Sequence, residues 1–307
     1  MPSTRPRADA AASALGAAAL WGGMYVVSKD TFDRVPPITL GALRLLVAGA
    51  ALSLILFLRG RLRWPGDRRM ALAGALLAST LVLQFLGTDL ATASEGALLT
   101  TTTPLSIVPL AWVFLGERPR WRTVVGIAVG MAGVALAVGA GSGFQRSVAG
   151  PLLLLGSAVG WASYTIVSAP VARREGPLVA VTWGTLAALP LVGLLSVLEV
   201  GRWSGRALTE PSTLAAIGYL GLAASAGAWY LWNRGVAGLP AAVTGAFFFV
   251  QPVVGGLLAR AVLGEHLGIG FVVGGGLILA GVLLALTGSA DREGPARHLS
   301  PSRKERA

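Results

Sequence analysis

The stretch PLSIVPLAWVFLGE, residues 104–117, returns as PVVGGLLARAVLGE at residues 252–265. Each copy opens on a proline and closes on Gly-Glu, and the copies lie 148 residues apart. The same offset matches Gly126 with Gly274, Gly133 with Gly281 and Val134 with Val282. A second echo, at an offset of 140, pairs Gly16 with Gly156, Trp21 with Trp161 and Ser28 with Ser168. A repeat spanning half a chain decides the architecture before any single residue does. Here it is set in almost continuous apolar sequence, which predicts an all-α membrane protein built from two related halves.

Of the 307 residues, 54% are hydrophobic and only 13% charged, against about 25% charged in a soluble globular domain. The deficit lies in ten apolar blocks, at 10–28, 37–58, 70–88, 95–115, 121–139, 150–170, 178–198, 212–232, 240–262 and 267–287. Each is close to the roughly 20 residues a helix needs to cross a bilayer. They are too long and too uniformly apolar for alternating transmembrane strands. This divides the chain into a tail at 1–9, five-helix repeats at 10–139 and 150–287, and a charged tail at 288–307. The first block has the basic and small residues of a signal peptide. Cleavage would remove Trp21 and Tyr25, whose likeness to Trp161 and Tyr164 belongs to the repeat, so the block is read as the first helix.

The net charge of +11 would suit nucleic acid, but its placement is topological. With the N-terminus in the cytoplasm, 18 of the 25 Lys and Arg fall on the inner side, 6 on the outer side, and Arg44 within the second block. That is the positive-inside bias of a multi-pass protein of the inner membrane with both termini cytoplasmic. Because five is odd, the second half enters the bilayer from the opposite side. Inverted halves are a recurring design of secondary transporters, with the substrate site at their seam near the midplane. One unit used twice in opposite senses gives outward-open and inward-open states of similar energy.

Ala19-Leu20-Trp21-Gly22, Leu43-Arg44, Thr103-Pro104 leading to Leu115-Gly116-Glu117, Tyr230-Leu231-Trp232-Asn233 and Gln251-Pro252 leading to Gly264-Glu265 resemble the EamA family of the drug/metabolite transporter superfamily. The resemblance covers roughly 10–139 and 150–287. It implies ten helices and export or uptake of small polar metabolites, amino acids being the commonest. It also implies a central cavity lined by helices one, three, four, six, eight and nine.

Polar and aromatic groups inside the blocks are the candidates for that cavity. Arg44, about a third of the way in, is the one basic residue well inside a block, and an ionisable group at that depth is costly enough to suggest function. Either its fork holds a substrate carboxylate, or it reaches the interface or a backbone carbonyl. Trp21, Tyr25, Trp161, Tyr164 and Tyr230 are candidate walls for an amphipathic ligand, while Trp229 and Trp232 read as interface anchors. Gln84 and Gln251 are candidate ligand contacts. The Thr100–Thr103 run is discounted, since such hydroxyls often bond their own helix. Pro104 and Pro252 are placed inside their helices, each removing a hydrogen bond, as gating hinges or as static bends. Glu117 and Glu265 follow a helix-closing Gly and precede the next helix, where a carboxylate suits the dipole, so both are read as structural. Gly126 with Gly130, and Gly270 with Gly274, give GxxxG spacing for helix packing or for a homodimer.

No Asp or Glu falls at a helix centre, so coupling to protons is expected to be weak or absent. The sequence offers no metal-ligand cluster, catalytic triad or phosphate loop, and with no Cys it has no thiolate chemistry. No cofactor is implied. A membrane-embedded lipid enzyme would need carboxylates or His converging at one face; a non-transporting scaffold would lack a midplane cavity.

Overall fold

The computed structural model describes residues 5–91, 93–138, 148–263 and 269–290, and among them all regular structure is helical. Ten spans follow one another. They are α1 (Arg5–Trp21, resumed at Met24–Phe32), α2 (Pro37–Leu58), α3 (Arg69–Leu90) and α4 (Ala93–Thr100, resumed at Thr103–Leu115). Next come α5 (Trp121–Val138), α6 (Ala149–Arg174) and α7 (Pro177–Ser196). The α8 span runs Pro211–Gly218, passes through a π-helical stretch at Tyr219–Gly227 and continues at Ala228–Gly238. The α9 span is Ala241–Ala246, a 3-10 turn at Phe247–Phe249 and Val250–Leu263; α10 is Ile269–Ala290. Pro37, Pro177 and Pro211 each open a helix at a position whose N–H would be unpaired anyway. Gly116, at φ 66°, supplies the left-handed residue that closes α4.

Where the structure departs from the sequence reading is in the breaks. Four of the spans are interrupted: α1 at Gly22–Gly23, α4 at Thr101–Thr102, α8 by its π stretch, α9 by its 3-10 turn. Pro104 therefore sits in the first turn of the second piece of α4, and Pro252 in the first turn of the last piece of α9. Neither removes a hydrogen bond from the middle of a helix, as the sequence suggested; each restarts a helix after a break. The proline interior to α4 is Pro109. Irregular backbone at membrane depth is tolerable only where protein or a wet cavity covers it, so the breaks point to where the cavity lies.

An internal two-fold axis is visible in the packing. A Cβ on Gly126 would stand 2.5 Å from the Gly281 carbonyl oxygen, and one on Gly281 would stand 2.5 Å from that of Gly126. The 148-residue offset turns that pair into Gly274 and Gly133, and Gly133 indeed abuts the Gly274 carbonyl at 2.7 Å. Likewise Gly16 meets Leu231 while its repeat mate Gly156 meets Leu83. The long pairings follow the same rule: α5 lies along α10 and α2 along α7, each against its own counterpart. Contacts of α3 with α6 and α7 are matched by those of α8 with α1 and α2. The glycine spacing of α5 is thus used inside the chain. Apolar side chains such as Leu54, Phe57, Trp112, Phe114 and Leu194 are more than half exposed on the outer surface, as lipid contact requires.

Two buried carboxylates tie helix ends. Glu117 accepts hydrogen bonds from Arg173 Nη2 at the end of α6 (2.6 Å) and from the Ala241 amide opening α9 (2.7 Å). It thus serves a helix start from the other half, not that of α5, which the sequence suggested. Glu199, in the 3-10 turn after α7, accepts from the amide and hydroxyl of Thr39 at the start of α2 (2.7 and 2.9 Å). Glu265, the repeat mate of Glu117, lies outside the described residues.

Candidate functional site

A small, partly open cavity lies between the halves. The helix breaks surround it. Trp21 and Met24 flank the break in α1, Thr100 and Thr103 that in α4, Phe248 and Gln251 that in α9. Of the candidates, the structure brings Trp21, Tyr25, Arg44, Gln84, Trp161 and Gln251 together on its walls. Tyr164 and Tyr230 do not line it. Tyr164 is fully buried to one side, its hydroxyl accepting from Asn233 Nδ2 at 3.2 Å.

Six lining residues were not singled out from sequence, Met24, Thr80, Leu81, Ser157, Ala158 and Phe248, and Trp229 was read there as an anchor. Trp229 and Trp232 are no interface anchors; they are 1% and 0% exposed. The discounted threonines also reach the wall, although Thr103 Oγ1 still bonds the Thr100 carbonyl at 2.6 Å.

One side of the cavity is polar. Tyr25 donates its hydroxyl to Thr100 Oγ1 (2.6 Å) and accepts from Gln84 Nε2 (2.9 Å). Thr100 in turn donates to the Gly96 carbonyl at 2.8 Å. Arg44 is 1% exposed. Its Nε donates to Ser225 Oγ, and its Nη2 to the Ala224 carbonyl at 3.1 Å. Both acceptors belong to the π-helical stretch of α8, where the altered register leaves oxygens for side chains. Trp21 Nε1 also donates to Ala224, at 2.9 Å.

The other side is aromatic. Trp21 meets its repeat mate Trp161 edge to face, ring centroids 5.3 Å apart, which sets this pair on the axis. Phe248 stacks on Trp21 at 5.3 Å and abuts Trp232 at 4.9 Å. Trp229 faces the Arg44 guanidinium, its centroid 5.1 Å from Cζ. Three buried atoms on the cavity residues have no hydrogen-bond partner among the described residues: Arg44 Nη1, Trp161 Nε1 and Gln251 Oε1. Among the described residues Arg44 is the sole charged one lining the cavity.

The profile of the EamA-like transporter family matches this chain twice, at 10–139 and 148–287. The uncharacterized transporter YwfM of Bacillus subtilis is 27% identical over 276 residues, 87% of this chain and 90% of its own. A probable terminal-alkyne amino-acid exporter of Streptantibioticus cattleyicolor is 32% identical over 272 residues, 86% of this chain and 89% of its own. A solved crystal structure superposes with a TM-score of 0.79 at 25% identity, covering 94% of this chain and 100% of the other. A doubled family match, ten helical spans and a cavity on the seam agree. The chain belongs to the EamA-like transporter family and is a multi-pass membrane transporter.

Proposed function

We propose that the protein is a secondary transporter of the inner membrane that exports or exchanges small polar metabolites, amino acids foremost, by alternating access between its two inverted halves. The observation that carries this reading is the cavity on the two-fold axis, bordered by the interruptions of α1, α4 and α9. A site on the axis is equidistant from both membrane faces, so rocking one half against the other exposes it to each in turn. Breaks beside it supply the places where helices bend, and Pro104 and Pro252 fix where each piece restarts. Trp21, Tyr25, Arg44, Gln84, Trp161 and Gln251 contact the substrate in this reading. The 32%-identical relative, named as an amino-acid exporter, agrees with it. Charge placement puts both termini in the cytoplasm. Among the described residues no carboxylate or histidine lines the cavity, which supports weak or absent coupling to protons.

The test compares water-soluble metabolite pools in cells with and without the protein, then measures flux of the affected compounds through purified protein in liposomes. At least one amino acid is expected to fall inside the expressing cells and to cross the liposome membrane with or without a pH gradient. Unchanged pools and no flux, or a change confined to lipid species, would overturn the proposal.

A further inference from the structure

Among the described residues Arg44 has no carboxylate partner for its positive charge. Its two hydrogen-bond acceptors, Ser225 Oγ and the Ala224 carbonyl, are neutral, and the ring faces of Phe85 and Trp229 lie 5.6 and 5.1 Å from Cζ. Cation–π contacts lessen the cost of such burial but do not neutralise it. One arm of its fork, Nη1, has no partner among the described residues, and neither has Trp161 Nε1. The contrast with Trp21 is informative, because that repeat mate of Trp161 satisfies its own Nε1 on Ala224. The Trp229 ring neighbours both residues, 5.1 Å from Arg44 Cζ and 6.1 Å from the Trp161 ring. Gln251, also a cavity residue, has its Oε1 without a donor among the described residues.

Two unpaired N–H donors, one of them charged, match an oxyanion; an unpaired acceptor nearby matches a donor group; the aromatic wall matches an uncharged body. We propose that Arg44 Nη1 and Trp161 Nε1 hold the carboxylate of the transported molecule, which supplies the negative charge the cavity lacks, while Gln251 takes a hydrogen-bond donor of the same molecule. This deepens the transporter reading above and rests on it. It also states what is refused: an amine without a carboxylate would add a second positive charge beside Arg44.

Purified full-length protein is titrated with L-phenylalanine, 3-phenylpropanoate and L-phenylalaninamide, with thermal stabilisation as the readout. The two carboxylates are expected to stabilise it and the amide is not. Trp161→Phe keeps an aromatic side chain but exchanges the indole for a smaller ring without the N–H, and should weaken both carboxylates about tenfold, the worth of one charge-assisted hydrogen bond. Arg44→Lys keeps the charge and loses the fork, and should weaken them at least as much. The proposal is overturned if the amide binds as well as phenylalanine, if neither carboxylate binds, or if Trp161→Phe binds them like the unaltered protein. Should Arg44→Lys not fold, Trp161→Phe still decides. Amino-acid flux without carboxylate selectivity would sink this inference and spare the transporter reading; carboxylate binding without flux would do the reverse.

Discussion

The first half places Tyr25, Gln84 and Thr100 around the cavity, and the second half places Thr165, Trp232 and Phe248 at the matching positions. Matching by the openings of α2 and α7, on Pro37 and Pro177, puts Gly184 where the first half has Arg44. A hydrogen bond survives the exchange: Gln84 donates to Tyr25, and Trp232 donates to Thr165. The backbone crossings are kept almost unchanged, glycine for glycine. A two-fold axis demands equal geometry wherever helices cross, because both halves must pack in the same way. A substrate has no two-fold symmetry, so the walls facing it are free to become cationic and polar on one side and aromatic on the other.

The largest effect is expected at the crossing both halves share. Gly126→Leu pushes a side chain into the α10 backbone, and overpacking of this kind costs about 3 kcal/mol. Gly281→Leu should match it, since the two sites are reciprocal. Gly276→Leu, on the same helix but with open space beside it, is expected to change little. Melting temperatures in detergent decide the matter. Equal, small shifts for all three would mean the crossing is looser than the axis requires.

Next come the buried carboxylates at opposite ends of the bundle. Glu117→Ala strands the Ala241 amide and Arg173, and Glu199→Ala strands the amide and hydroxyl of Thr39. Each is expected to lower stability by about 2 kcal/mol, of which the half-exposed Arg173 pair contributes little. If only Glu199→Ala is costly, the tie from α4 to α9 is an incidental contact.

Gln251 and Thr103 occupy equivalent positions on the cavity wall, yet differ in what holds them. The Gln251 carbonyl oxygen has no partner, whereas the Thr103 hydroxyl is already bonded to its own helix. Gln251→Ala is expected to reduce transport about tenfold while leaving folded protein in the membrane, one ligand hydrogen bond being worth roughly that factor. Thr103→Ala should stay within about twofold. Similar losses for both would show that the wall shape matters and the amide does not.

The ten spans were legible because a bilayer sets the length and polarity of whatever crosses it, and α2 (Pro37–Leu58) begins and ends where its apolar block does. The breaks were not. Thr101–Thr102 and Phe247–Phe249 carry no signal that separates an interrupted helix from a continuous one, since what stabilises the break is tertiary. Pro104 and Pro252 marked the neighbourhood, but their effect depends on whether the helix starts before or after them. Arg44 and Gln251 stood out because polar groups are rare in such blocks. Trp229 and Phe248 were hidden because aromatic residues are equally at home at an interface, in a core or on a cavity wall, and only the fold distinguishes these. Tyr164 fails by one residue: in the repeat, Tyr25 aligns with Thr165, so Tyr164 turns toward Asn233 instead.

The smallest effect sets the two surviving hydrogen bonds against each other. Tyr25→Phe removes a hydroxyl that bonds both Thr100 and Gln84, and Trp232→Phe removes one N–H that bonds Thr165 together with part of a fully buried ring. A net hydrogen bond contributes about 1 kcal/mol, so Tyr25→Phe should cost the more of the two in stability if neither leaves water access to the freed groups. Thr100 and Gln84 line the cavity, however, and Thr165 does not. Water or substrate can therefore satisfy what Tyr25 leaves behind, whereas Thr165 keeps an unpaired buried oxygen. The expected outcome is that Trp232→Phe equals or exceeds Tyr25→Phe in lost stability, and that only Tyr25→Phe alters transport. The reverse order would place Tyr25 in the packed core and move the polar edge of the cavity to the other half.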